Sequence, residues 1–181
     1  LDLSTFRTKA NRATAQALTQ EQISCLGALA FLHDIGKLAP AFQIKSLSPP
    51  PPRKARDHLR CGWKWLMQDD DPSRILDGNA PLIVGWESIE TWFKVLYAHH
   101  GRPVPCPPES WAQDAFAPLP GYDWKAGEAL MGQAMLSWFP EIRSHAPPPP
   151  APAFAHFFAG LLALADWIGS DRAAFPFVAA F

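Results

Sequence analysis

Cysteine is scarce in this chain: Cys25, Cys61 and Cys106 are odd in number and nowhere fall in CxxC spacing. Such a set fits a reducing compartment and excludes a cysteine zinc knuckle. No apolar run approaches the ~18 residues that a membrane span needs, and no signal-peptide profile opens the sequence. A soluble, cytoplasmic chain without membrane contact is therefore expected. Neither sign of charge dominates, since 16 Lys and Arg stand against 17 Asp and Glu for a net charge of −1. That balance excludes a global basic field, so nucleic acid could be held only by a local patch. There is no Gly-rich phosphate loop, no internal repeat and no alternating strand of useful length.

What is present is apolar and aromatic. With 181 residues, 48% of them hydrophobic, and eight Trp, the chain can bury a sizeable core. One domain over residues 1–181 is expected. The sequence begins at Leu1 and not at Met, so residues upstream are expected to be missing.

Periodicity predicts a series of helices. An Ala-rich helix is expected over 5–18. A capping box at Thr19 and Gln22 then opens a helix over 20–34, which Gly36 helps to end. Residues 37–43 read as a turn, with one helical turn after Pro40. Pro49 to Pro52 form a stiff polyproline connector. A helix over 53–68 is predicted, with Arg53, Lys54, Arg56 and Arg60 as its basic start and His58, Cys61, Gly62 and Trp65 on one face. Asp69 to Asp71 lie in a loop that runs to Gly78; without EF-hand spacing they read as a solvated turn and not as a calcium site. The next helix, 86–100, places Ile89, Trp92, Phe93 and Leu96 inward and continues that stripe into His99-His100, before Gly101 and Pro103. Residues 102–123, rich in proline, read as a long irregular loop. Residues 124–138 read as a helix with Leu130, Met131, Ala134 and Trp138 inward. After a second polyproline run at 147–150, a helix over 153–168 carries Phe154, Phe158, Leu161, Leu162 and Ala165 on one side. Its Asp166 continues a face of small residues, Ala155, Ala159 and Ala163. The fold class expected is all-α.

Chemistry enters with the polar exceptions to these apolar stripes. Counting back from His33, apolar residues stand at positions 30, 29 and 26, so His33 continues a buried stripe with Asp34 beside it. His33, Asp34, His58, His99, His100 and Asp166 come from four predicted helices. Buried imidazoles and carboxylates need partners, because an uncompensated charge in a core is costly. A metal ion is one such partner, and a salt-bridged or hydrogen-bonded network is another. Four His and two Asp at inward positions favour the metal. His and Asp without Cys suit Mn, Fe, Co, Ni or Zn. His145 and His156 read as ordinary surface or core residues.

The blocks His33-Asp-Ile-Gly-Lys-Leu-Ala-Pro-Ala-Phe-Gln43, Ala98-His-His-Gly101 and Ala165-Asp-Trp-Ile-Gly-Ser170 carry a resemblance. With His58, they resemble the HD superfamily of metal-dependent phosphohydrolases, and more narrowly the HD nuclease domain of the CRISPR-associated helicase-nuclease of type I systems. The tail from Asp171 to Phe177, ending in Phe-Pro-Phe, resembles the segment after that domain's last aspartate.

The resemblance implies an HD-superfamily helical domain with a metal site between helices. It implies His33, Asp34 and Asp166 as ligands of one metal, and Asp34, His58, His99 and His100 as ligands of a second, with Asp34 bridging and catalytic. One or two divalent transition-metal ions are implied, Mn, Fe, Co or Ni ahead of Zn or Mg. Lys37 matches a lysine near the scissile phosphate, and Ser170 supports Asp166. The implied activity is cleavage of single-stranded DNA fed by a helicase from a target held by an RNA-guided effector complex in a prokaryotic cytoplasm. The helicase part is absent from these residues. One departure stands out: the family has a further metal-binding His upstream of the His-Asp pair, and residues 1–32 contain none. Leu1-Asp2 resembles the pair of residues directly after that His. Arg53, Lys54, Arg56, Arg60 and Arg102 are candidates for DNA backbone contacts, with Trp63 or Trp111 for stacking. Two other functions share this ligand set: a phosphohydrolase acting on nucleotides or cyclic dinucleotides, and a non-catalytic, metal-stabilised docking module.

Overall fold

The computed structural model is all-α over the residues it describes, 3–14, 17–49, 51–65, 71–173 and 175. Among these residues there is no strand, only an isolated bridge between Leu119 and Tyr122. Helix α1 (Leu3–Thr14) stops short of the expected residue 18. Residues 17–19 are not helical, because the Asn11 side chain accepts the Leu18 N–H at 3.0 Å and turns the chain back. Residues 15–16 of the first expected helix, and 66–70, which hold the expected end of the helix over 53–68 and Asp69-Asp70, lie outside the described residues, as do Pro176 and Phe177 of the tail.

Helix α2 (Gln20–Leu32) begins at the expected capping box. The Thr19 N–H donates to Gln22 Oε1 at 3.1 Å, and the Gln22 N–H donates to Thr19 Oγ1 at 3.2 Å. Past His33 the chain tightens into a 3₁₀ turn, Ile35–Leu38, and then makes the expected single helical turn, α3 (Pro40–Gln43).

Helix α4 spans His58–Trp65, so the basic residues predicted to start it, Arg60 apart, lie outside it. The reason is Asp57, whose Oδ1 accepts the Arg60 N–H at 2.9 Å and acts as the N-cap. Residues 53–57 run as an irregular strap instead. Helix α5 (Ala80–Val84) is too short for periodicity to reveal. Helix α6 (Ile89–Leu96) ends four residues before the expected boundary. Helix α7 (Glu109–Phe116) forms inside the segment expected to be irregular. Its burial rests on Ala112 and Ala115, which are too small to write an apolar stripe into the sequence.

Helix α8 (Trp124–Trp138) has the expected bounds but a different buried face. Leu130 and Trp138, expected inward, are each 65% exposed, while Glu128, Gly132 and Met135 are buried. The Trp65 indole N–H donates to Glu128, and this buried polar pair sets the phase of the helix. Helix α9 (Pro152–Ser170) buries Phe154, Phe158 and Leu162, but Leu161 and Ala165, expected on the same side, face outward. With a mean hydropathy of 1.3, α9 is long and apolar enough to cross a membrane. It packs against α1 and α6, while Leu164, Trp167 and Ile168 stay exposed.

Two contacts position the site. Trp92 of α6 meets Phe154 and Phe158 of α9 edge to face, with centroids 5.9 and 5.5 Å apart. Gly36, in the 3₁₀ turn, touches the backbone of α4: a Cβ there would lie 1.9 Å from the His58 carbonyl oxygen and 2.4 Å from the Gly62 nitrogen. Both obstacles are main chain and cannot swing aside. We therefore expect Gly36→Ala to lower stability by at least ~1–3 kcal/mol, the usual range for overpacking. Gly160 on α9 has open space at its Cβ position, so Gly160→Ala should raise stability by roughly 0.5–1 kcal/mol. Thermal unfolding of both variants checks the pair, and equal shifts would contradict the packing described.

Candidate metal centre

His33 and Asp34 leave the end of α2 together because the helix stops at Leu32 and the following turn tightens. His33 Nδ1 lies 2.6 Å from the Ala30 carbonyl oxygen. A carbonyl only accepts, so Nδ1 carries the proton and Nε2 keeps a lone pair. His99 repeats the device on the Leu96 carbonyl, also at 2.6 Å. The early end of α6 makes this possible. The chain from Tyr97 to His100 is a tight turn closed by Gly101 at φ +93°, which places the His99 and His100 rings 4.6 Å apart. Mid-helix, the two would diverge.

His58, the first residue of α4, is brought to Asp34 by the Gly36 contact. Its Nε2 lies 3.4 Å from Asp34 Oδ1 and 3.3 Å from His100 Nε2. Asp34 faces the other way as well: Oδ2 is 3.3 Å from His33 Nε2 and accepts from Lys37 Nζ. Asp166 of α9 completes the group, with Oδ1 3.7 Å from His33 Nε2 and within 3.5 Å of the Ser170 hydroxyl that donates to it. All six predicted ligand positions thus meet in one place, drawn from the end of α2, α4, α9 and the turn after α6.

Two overlapping sets have donor atoms close enough to share an ion: His58, His99 and His100, and His33, Asp34 and His99. Among the buried polar atoms without a hydrogen-bond partner are His33 Nε2, His99 Nε2 and Asp34 Oδ1. An unsatisfied buried polar atom costs roughly 1–3 kcal/mol, so three at one point call for a common partner. Lone pairs from imidazole and carboxylate fit a divalent cation of borderline character.

The electrostatics agree with that fit. Burial pushes the Asp34 carboxyl up, but His33 and Lys37 beside it outweigh burial and hold it well below the usual carboxylate range. Burial also lowers His58, which Lys37, His100 and His99 reinforce against Asp34, so its imidazole stays neutral down to about 4. His99 is lowered by burial too. Burial would lower His33 in the same way, yet the Asp34 carboxylate outweighs it and raises it.

The residues around the His-Asp pair have structural duties. Phe42 sets its ring 5.6 Å from that of His58, and Gln43 Nε2 donates to the Lys37 carbonyl at 2.6 Å. His33, Asp34, Lys37, Asp166 and Ser170 line a cavity of about 360 Å³. Sequence reading passed over Tyr97, fully buried with an unpartnered hydroxyl two residues before His99. With the helix predicted to run to residue 100, nothing in the sequence set Tyr97 apart.

The basic candidates divide. Arg53 donates to the Ala117 carbonyl at 3.1 and 3.2 Å, Arg56 pairs with Asp114 at 2.9 Å over the Trp111 ring, and Arg60 pairs with Asp57 at 3.2 Å. Lys54 and Arg102 have no carboxylate partner among the described residues. Trp63 donates its indole N–H to the Val104 carbonyl at 3.0 Å. His145 and His156 are exposed and lie outside the cluster.

The family model described as Cas3, HD domain, matches residues 2–175 of the 181. No curated protein and no solved structure matches the chain.

Removing Asp34 deletes the carboxylate that faces His33 with one oxygen and His58 with the other. Asp34→Ala should therefore lower the metal content of the purified protein well below that of His145→Ala or His156→Ala, as read by elemental analysis. Equal content in all three would show that the ions bind elsewhere.

Proposed function

The chain belongs to the Cas3 HD-domain family, and on that premise we propose that it is a metal-dependent endonuclease that cuts single-stranded DNA in type I CRISPR interference. It works in the prokaryotic cytoplasm, as the nuclease domain of a system in which a helicase draws the strand from a target held by an RNA-guided effector complex. The observation that carries this reading is the convergence of unpartnered lone pairs on His33 Nε2, His99 Nε2 and Asp34 Oδ1 beside a cavity lined by Asp166 and Lys37.

His33, Asp34 and Asp166 would hold one ion, and Asp34, His58, His99 and His100 a second, with Asp34 between them. Divalent transition-metal ions such as Mn, Fe, Co or Ni would polarise the phosphodiester and bring the pKa of a bound water toward neutrality. The chain's own residues do the rest. The Ala30 and Leu96 carbonyls hold the Nδ1 protons, so the His33 and His99 rings are fixed with Nε2 toward the site and need not reorganise. Ser170 orients Asp166. Lys37, whose side chain is 44% exposed, borders the cavity with its ammonium on Asp34. A phosphate approaching Asp34 comes within reach of that ammonium, which offsets the negative charge built up as the bond breaks. Ligands recessed between helices admit a flexible single strand more readily than a stacked duplex.

Circular single-stranded DNA should be opened without ATP, and EDTA should abolish the reaction, while blunt duplex should resist. Gel analysis of the circle checks this. Equal cutting of duplex and single strand would contradict the reading, and turnover of a nucleotide panel with the circle left intact would favour a small-molecule phosphohydrolase.

Lys37 separates charge stabilisation from a helix-end role. A cation near a helix C-terminus adds only roughly 0.3–1 kcal/mol. Lys37→Ala should keep its metal and stay within ~1 kcal/mol of the parent. Its single-turnover cleavage should fall by ~10²-fold or more. Lys37→Arg should recover part of the rate, since a planar fork replaces a point charge. Near-normal cleavage with a lowered melting temperature would make Lys37 a structural residue.

A further inference from the structure

A second cavity, of about 400 Å³, lies between α6 and α9 and shares His99 with the metal centre. We propose that this groove is the track along which single-stranded DNA reaches the centre, with Lys94 and Arg102 contacting its phosphates. The inference rests on the nuclease reading above and adds a binding surface that the metal cluster does not contain.

Charge is the first argument. The chain as a whole carries a net charge of −1, yet no Asp or Glu lines this groove, whereas Lys94 and Arg102 both do. Both residues are exposed, and neither is paired with a carboxylate among the described residues. By contrast, Arg53, Arg56 and Arg60 are engaged within the fold.

Shape is the second. The α9 wall is built from Ala155, Ala159, Gly160 and Ala163, and nothing lies within 4 Å of a Cβ built on Gly160. Small side chains leave room for a sugar-phosphate backbone.

Continuity is the third. Ala159, Ala163, Asp166 and Ser170 follow one another at helical spacing on one face of α9. The first two line the groove, and the last two line the cavity of the metal centre. From Ala159 to Asp166 the helix rises ~10 Å. A strand lying along this face therefore passes from Lys94 and Arg102 to His99, whose Nε2 is unpartnered, and on to Asp34. No Trp, Tyr or Phe lines the groove, and contacts from Lys94 and Arg102 to phosphates carry no base sequence information.

The test is the affinity of a labelled oligothymidylate, read by fluorescence anisotropy in EDTA so that no strand is cut. Lys94→Ala and Arg102→Ala should each weaken binding on the order of three- to tenfold at low salt. Each should also reduce the slope of log affinity against log salt by ~0.7, the value for one phosphate on a single strand. Gly160→Leu, which fills the open wall without changing charge, should weaken binding while metal content is kept. Arg143→Ala, an exposed cation at the rim of a different cavity, should leave binding unchanged. Parent-like affinity in Lys94→Ala, Arg102→Ala and Gly160→Leu would overturn the proposal, as would a parent that binds no strand. A parent that binds through the groove but cuts nothing when metal-loaded would overturn the nuclease reading alone.

Discussion

Backbone touches backbone where the 3₁₀ turn after α2 meets α4, and the metal centre depends on that approach. Gly36 leaves no room for a Cβ against His58 and Gly62, so the ends of two helices lie closer than side chains would permit. His33 and Asp34 stand just before the contact, and His58 is one of its walls. Asp34 can therefore face His33 with one oxygen and His58 with the other. Moving the turn outward by the width of a methyl group would separate the two halves of the ligand set.

The other half of the site hangs on α6 and α9. Trp92 wedged against Phe154 and Phe158 fixes these helices over a large apolar contact. The α6 side ends in the histidine turn, and the α9 side carries Asp166 two turns beyond Phe158. The ligands themselves add little to this packing; without a cation, their unpartnered polar atoms are a local cost. Stability is provided by the aromatic contacts and given up at the site, the usual division between a scaffold and the centre it holds.

Around this centre the charges are arranged locally. His33 and Lys37 keep Asp34 ionised at neutral pH, while burial keeps His58 and His99 uncharged. The surface pairs Arg56–Asp114 and Arg60–Asp57 are exposed or nearly so and contribute little to stability. Their effect is to occupy Arg56 and Arg60, whereas Lys94 and Arg102 at the rim of the α6–α9 groove stay without a carboxylate partner among the described residues.

Much of this was legible in the residues themselves. Helical periodicity gave the all-α class, Thr19 and Gln22 marked the start of α2, and six polar exceptions to the apolar stripes named the cluster that the fold brings together. These signals survive because they are local: caps and stripes depend on neighbours three or four residues away. Short or weakly apolar elements were not legible. Helix α7 is buried through alanines and α5 is five residues long, while α4 started late because Asp57 capped it. The inward face of α8 was decided by Trp65 reaching Glu128 from a distant segment. The sequence by itself determined which residues could bind a cation, because that is a matter of side-chain chemistry. Only the tertiary structure decided that Asp34 lies between two histidine groups, that His99 and His100 turn the same way, and which arginines are already engaged. Each of those facts depends on the distance between chain segments far apart in sequence, and packing alone sets that distance.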